Sequence, residues 1–344
     1  MAPFKSSLAK SAGKLFGVFR QGDLSLRGAT QISRKVPPPP LASSGGTAYN
    51  STPKGTVHKF TSSGSFTLTG GETPSVGCKV LVVGGGGAGG SFNPGAYGGG
   101  GGGGGGVRYI PSIDLSIDVA FPITVGDGGT GGNPYTTPST GGSAAQPRGG
   151  GTSSVFNSPG GSSIPAITAT GGGGGGGGGA AGGPGGSGGG KSYPGNGGSG
   201  NLGGNEPRAN PIVEGNSAQN NKNAGSNYQC GGGGGAQPTH PTLAFQTGTP
   251  GLPIPGVGSP GDPWLPPAGN VFGGGGGGSS YKETEGNGPG GSGGGGPAPG
   301  GAGVEYTGGG GGGRGTNGGN GGSGGYGIVY VLIPSSENCT GSPG

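Results

Sequence analysis

Hydrophobic positions are sparse along this chain and gather in a few short segments. Thr56-Val57-His58-Lys59-Phe60 and Ser65-Phe66-Thr67-Leu68-Thr69 alternate apolar and polar residues on either side of Ser62-Ser63-Gly64. Alternation across a turn predicts a β-hairpin. Lys79-Val80-Leu81-Val82-Val83 is continuous and rich in β-branched residues, and it opens directly into a glycine run at 84–87. Such a segment predicts a strand covered on both faces. Ser112-Ile113-Asp114-Leu115-Ser116-Ile117-Asp118-Val119 alternates strictly, and Pro122-Ile123-Thr124-Val125-Gly126 follows it. Ser154-Val155-Phe156 and Ala166-Ile167-Thr168-Ala169 are shorter strand candidates. Gly327-Ile328-Val329-Tyr330-Val331-Leu332-Ile333 is again continuous and apolar.

These segments hold most of the aliphatic residues of the body, and they lie at its two ends. A compact body must therefore bring the final strand back beside an early one, most simply Val80–Val83. The expected architecture is a small antiparallel β-roll or sandwich that holds a long glycine-rich insertion.

Composition changes the picture of that insertion. The chain has 107 Gly and 33 Pro in 344 residues, with 8% charged residues. Two-fifths Gly plus Pro exceeds the roughly 25–30% that marks low complexity. It excludes an ordinary aliphatic enzyme core. No stretch of about 20 apolar residues offers a membrane span. The glycines are not collagenous either, because they come in unbroken runs such as 98–106 and 171–179. Flexible linkers alternate Gly with Ser or charge, whereas these runs are pure and abut the strands. The alternative is extended three-fold helix, which has no internal hydrogen bonds. Bare glycine lets neighbouring helices approach until their backbone groups pair. The expected interior is then a hydrogen-bonded lattice of polyglycine II helices.

Net charge is confined to one end. Residues 1–36 carry Lys5, Lys10, Lys14, Arg20, Arg27, Arg34 and Lys35 against Asp23, a balance of +6. The chain's total is +5, so the remainder is nearly neutral. A neutral body argues against a nucleic-acid partner. Phe4, Leu8, Ala12, Leu15 and Phe19 share one helical face. A transit peptide, a membrane-surface helix, a solvated tail and a docking tail all fit this segment, and docking on a larger partner is the reading favoured. Four prolines at 37–40 supply a stiff spacer.

Candidate chemistry is thin. Gly185-Gly186-Ser187-Gly188-Gly189-Gly190-Lys191-Ser192 matches the P-loop pattern formally, but a P-loop needs a strand before it and a helix after it. His58 and His240 are the sole histidines, and His58 in a strand reads as a structural residue. Asp114 and Asp118 would share one strand face. Neither enzymatic activity, a cofactor nor a bound metal is expected. Cys78, Cys230 and Cys339 are odd in number, so at least one is unpaired within the chain, and a 78–339 bridge is geometrically open. Tyr193, Tyr228, Phe245, Trp264 and Tyr281 lie in the non-glycine segments of residues 191–285. They either cover the lattice edges or contact a ligand.

The whole order of elements resembles a known group. It comprises Phe60-Thr61-Ser62-Ser63-Gly64-Ser65-Phe66, Val80-Leu81-Val82-Val83 into glycine, Val107-Arg108 and Ile123-Thr124-Val125-Gly126. Ala166-Ile167-Thr168-Ala169-Thr170 into glycine and Gly327-Ile328-Val329-Tyr330-Val331 complete it. Over about residues 55–334 this is similar to the glycine-rich domain of bacteriophage tail fibres and adhesins, abundant in marine phages. Ser25-Leu26-Arg27-Gly28-Ala29-Thr30-Gln31 also resembles the virion-attachment end of such fibres. The resemblance implies four parts: a basic docking segment at 1–36, a Pro-rich linker at 37–54, the glycine-rich β/polyglycine II domain at 55–334 and a tail at 335–344. It implies a multi-copy, in one arrangement trimeric, protein of the virion surface, on the tail fibre or capsid exterior. Phe4, Leu8, Leu15, Phe19, Arg20 and Arg27 would dock on other virion proteins. The aromatic loop residues would meet a host-surface polysaccharide or protein without covalent chemistry. The alternative is a purely structural capsid-decoration or self-assembling filament subunit.

Overall fold

A computed structural model describes residues 41–51, 55–70, 75–91, 98–131, 149–160, 164–178, 180–192, 215, 217–218, 222–224, 227–236, 252–253, 271–281, 286–315 and 319–334. Among them there are strands and no helix, hence none long and apolar enough to cross a membrane. The strands are β1 (Ala42–Ser44), β2 (Thr47–Ser51), β3 (Gly55–Phe60), β4 (Gly64–Thr69), β5 (Ser75–Val83), β6 (Val107–Ser116) and β7 (Ala120–Thr124). They continue with β8 (Ser154–Phe156), β9 (Ile167–Ala169), β10 (Lys222–Ala224), β11 (Asn227–Gln229), β12 (Leu252–Pro253), β13 (Val271–Phe272) and β14 (Ile328–Pro334).

Two antiparallel five-stranded sheets form. One has the order β1-β4-β7-β8-β9, the other β2-β3-β14-β5-β6. Alternation decides their packing. Phe66, Leu68, Phe121, Ile123, Phe156 and Ile167 from the first sheet meet Phe60, Val80, Val82, Ile113, Val329 and Val331 from the second in one buried core. The opposite face of the second sheet buries Val57, Leu81, Val83, Ile328, Tyr330 and Leu332 under Ala236 and Phe272. Its central strands are thus covered on both sides, as their continuous apolar sequences require. β14 runs antiparallel to β5, with Val331 opposite Val80. The late strand returns to the early one as expected.

The 56–69 hairpin does not form. β3 pairs with β2 and β14, and β4 with β1 and β7. Residues 61–63 carry the chain from one sheet to the other, so that Phe60 and Phe66 both enter the shared core. β1 and β2, which lie within the segment read as a Pro-rich spacer, cross between the sheets beside it through Gly45 and Gly46. That turn needs glycine: Gly45 has φ +109, and a Cβ there would overlap the Ser65 carbonyl oxygen. Asp114 and Asp118 do not share a face, since β6 ends at Ser116. Asp118 sits in a turn at φ +58, its N–H donating to the Leu68 carbonyl.

His58 ties the two sheets together. Its ring is buried, with Nδ1 2.6 Å from the Gly45 carbonyl oxygen and Nε2 2.8 Å from Ser43 Oγ. With Nδ1 donating to the carbonyl, Nε2 accepts the serine proton. The ring also meets Phe66 edge-on at 5.2 Å. His58→Leu keeps the volume and orphans both partners. It is expected to destabilise by about 1–3 kcal/mol, read as a lower urea midpoint at unchanged slope.

Beyond the sheets the glycine runs stack alongside one another. The run 98–106 is buried throughout. Its N–H groups point in turn to three neighbours: Gly100, Gly103 and Gly106 to Gly176, Gly173 and Thr170; Gly101 and Gly104 to Gly231 and Gly234; Gly99, Gly102 and Gly105 to Arg314, Gly311 and Gly308. Its carbonyls accept from three more: from Gly90, Gly87 and Gly84, from Gly190 and Ser187, and from Ser279 and Gly276. Six runs therefore surround one, and the direction of bonding repeats every third residue. No backbone N–H from Gly99 to Gly106 is left over, which satisfies the requirement on buried amides without a sheet. At the margin the same period sorts side chains. Gly286, Pro289 and Ser292 are exposed while Gly288 and Gly291 are buried. On this run Pro289 and Ser292 occupy the row that faces away from the stack.

Candidate functional site

Because Val83 enters Gly84 and Gly106 leads into Val107, the sheet end of the stack lies at Gly84 and Gly106. The far end lies at Gly90 and Gly98. Three side chains close that far end. Ser192 Oγ and Cys230 Sγ donate to the Gly98 carbonyl at 2.7 and 2.9 Å, and Ser279 Oγ donates to Gly99 at 2.9 Å. Ser192, Cys230 and Ser279 are fully buried. Small donors suit this close-packed place: the Gly99 carbonyl, which already accepts from Ser279 N–H, gains a second donor, and the Gly98 carbonyl takes two from side chains.

This cap organises the aromatic candidates. An antiparallel bridge pairs Gln229 with Ser280, and Cys230 N–H donates to the Ser279 carbonyl at 2.9 Å. Continued by one step, the same register sets Tyr228 opposite Tyr281, two residues from the cap on each side. Tyr281 is half-buried. Ser192 brings the chain to the same cap, and Tyr193 is the next residue, itself outside the described residues. The segment carrying Phe245 and Trp264 leaves from Ala236 and returns at Val271, both beside the sheet: Ala236 N–H donates to Gly273, and Phe272 lies in the outer core. Phe245 and Trp264 lie outside the described residues. Of the five candidates, the described residues thus hold Tyr228 and Tyr281, both at the far end. Phe4, Leu8, Leu15, Phe19, Arg20 and Arg27 also lie outside the described residues.

The P-loop match meets its physical objection. Gly186, Ser187 and Gly190 donate to the carbonyls of Gly171, Gly104 and Gly101, so those amides are committed to neighbouring runs and not free to hold a phosphate. Cys78 and Cys230 are buried and not joined in a disulfide; Cys339 lies outside the described residues. Among the described residues no three His, Cys, Asp or Glu side chains converge as a metal site.

A second feature escapes sequence reading. Tyr306 and Tyr326 stack with ring centroids 5.9 Å apart, above a groove shared with Thr61, Ser62, Ser63, Val125 and Asp127. The sequence signal for them is faint: single tyrosines beside glycine, in Glu305-Tyr306-Thr307 and Gly325-Tyr326-Gly327.

A family model for a glycine-rich domain matches residues 61–333, from the sheet-crossing turn to the last strand. No curated protein matches the chain.

Proposed function

The chain belongs to the glycine-rich domain family, and from that premise we propose that it is a subunit of a phage fibre or adhesin. Its glycine runs are polyglycine II helices, packed hexagonally into a rigid block. The single observation that carries this reading is the run 98–106, hydrogen-bonded to six neighbours in a three-residue repeat. At about 3.1 Å per residue the block holds its far end on the order of 25 Å from the sandwich. Rigid placement of connecting segments is what recognition asks of a scaffold. Tyr228 and Tyr281, in register beside the Ser192–Cys230–Ser279 cap, belong to the host-facing surface of that end. Residues 1–36, basic and amphipathic in pattern, attach the chain to the particle. Binding is non-covalent, and its strength comes from several copies acting together.

Electron microscopy of phage particles labelled with antibody against the full chain tests the assignment. Label on tail fibres or fibre tips is expected. Label on the capsid, or filaments formed by the protein alone, would establish the structural alternative in its place. Soluble full-length protein should also compete with adsorption. The double variant Tyr228→Ala/Tyr281→Ala should compete at least about tenfold more weakly; equal competition by the variant removes the role given to the far end.

A further inference from the structure

We propose that the groove under Tyr306 and Tyr326 binds a neutral glycan, with one sugar ring stacked on Tyr326 and the chain running out along the lattice surface. The site is independent of the fibre reading, since it rests on the sheet end of the block and on none of the far-end tyrosines.

The aromatic wall is fixed before any ligand arrives. Tyr306 has φ +59, a conformation rare for a bulky side chain. The turn that holds it is locked by Thr307 Oγ1, which donates to the Val304 carbonyl at 2.7 Å and accepts from Gly309 N–H at 3.2 Å. Such backbone strain at a surface cleft is a mark of a working site when the surroundings enforce it. Lys59 Nζ stands 5.9 Å from the Tyr306 ring centre. Tyr326 is 43% exposed, yet its neighbours are pinned: Gly325 N–H donates to Gly309, Gly327 N–H to Gly126, and its own carbonyl accepts from Gly308. An exposed ring on an immobile backbone loses little entropy when covered.

Val125 apart, the rest of the lining is polar. Thr61, Ser62 and Ser63 come from the sheet-crossing turn and are exposed. Ser63 Oγ accepts the Val125 N–H at 3.0 Å, which leaves its proton to donate. Asp127 is exposed, its backbone N–H already bound to Thr152 Oγ1 at 2.7 Å. Its carboxylate supplies acceptors only. An aromatic face beside hydroxyls and a carboxylate matches a sugar ring, which has C–H groups on its faces and hydroxyls around its rim. The volume, about 200 Å³, is below the roughly 300–1,000 Å³ of drug-sized sites and suits a single ring.

The three-residue period extends the site. Asn320, Ser323 and Tyr326 form the exposed row of one run, and Asp127 and Thr130 that of its neighbour. Gly324 N–H donates to Gly129 and Gly131 N–H to Ser323 Oγ, so the two rows lie side by side. Amide, hydroxyl and carboxylate groups therefore lead away from Tyr326 at steps of roughly 9 Å, three residues at 3.1 Å each. A linear oligosaccharide can follow such a ladder. A quaternary ammonium is the competing ligand for two tyrosines and an aspartate, but the Lys59 ammonium already lies over Tyr306. An anionic sugar is disfavoured by Asp127.

Saturation-transfer NMR on the full chain tests the proposal. The probes are methyl glycosides of glucose, galactose, mannose and rhamnose, their tri- to hexasaccharides, and tetramethylammonium. Saturable transfer to at least one sugar is expected, with affinity rising with chain length. Tyr326→Ala and Asp127→Asn should each weaken it about tenfold, while Tyr326→Phe and the remote Pro289→Ala retain it. Unchanged melting temperatures confirm that these surface variants fold. The proposal is overturned by no saturable transfer from any sugar up to about 10 mM, by sugar binding indifferent to Tyr326→Ala, or by tetramethylammonium binding in their place.

Discussion

Gly102→Ala is expected to destabilise the protein by about 3 kcal/mol or more, the upper end of what overpacking does. The reason is specific to the stack. A Cβ at Gly102 would overlap the Gly87 carbonyl oxygen, and Gly87 is bound through its own N–H to Gly103. Neither run can yield without breaking bonds to its other neighbours. In an aliphatic core an added methyl meets rotatable side chains; here it meets backbone on every side. Gly160→Ala is the control. Nothing lies within 4 Å of a Cβ there, and its φ is outside the left-handed region. That change should be neutral or stabilise by roughly 0.4–1 kcal/mol through the unfolded chain. Thermal or urea melts of the two variants decide the matter. If Gly102→Ala melts like the parent, the run 98–106 is not packed as described.

Val331→Asp is expected to abolish the fold. Val331 is fully buried in the central strand of the second sheet, between β3 and β5, and its side chain enters the inter-sheet core. His58 stands opposite Val331 on β3 with both ring nitrogens already engaged, and buried Arg108 stands opposite Val82. A carboxylate there must remain charged without water, take up a proton, or pull these groups from their present partners. The loss should exceed about 4–5 kcal/mol, comparable with the whole 5–15 kcal/mol of a typical domain. Val331→Ile, which only adds a methylene, should keep a cooperative transition. Circular dichroism and limited proteolysis distinguish the outcomes. A soluble, protease-resistant Val331→Asp protein would mean that β14 is dispensable to the sheet.

What the sequence discloses depends on how local the cause is. The pairing of β14 with β5 was legible because two continuous apolar runs, rare in this chain, each need cover on both faces. The glycine lattice was legible as pure runs abutting strands. The turn at 61–63 was not: alternation around Ser62-Ser63-Gly64 looks the same whether the strands pair or part. Only the shared burial of Phe60 and Phe66 against both sheets separates the cases. β1 and β2 were missed because Ala42-Ser43-Ser44 and the polar stretch after it carry almost no apolar signal, as edge strands often do not. Alternation persists past Ser116 and so points to a strand at Asp118, where the backbone has already turned. Tyr306 and Tyr326 were passed over because one aromatic among glycines has no period. Their meaning lies in a neighbour distant in the chain.

The position of β14 also bears on how the protein is made. Val80 waits for Val331, about 250 residues later, which at roughly 5–20 residues per second is on the order of 10–50 s of synthesis. Through that interval β3 and β5 have no strand between them, and the glycine runs that follow have no finished sheet to start from. The nascent chain therefore carries an open, apolar β-edge while its lattice is still being supplied. Folding is then governed by the arrival of the last strand, and a pause or premature stop before residue 328 releases a chain prone to pair with another copy instead of with itself.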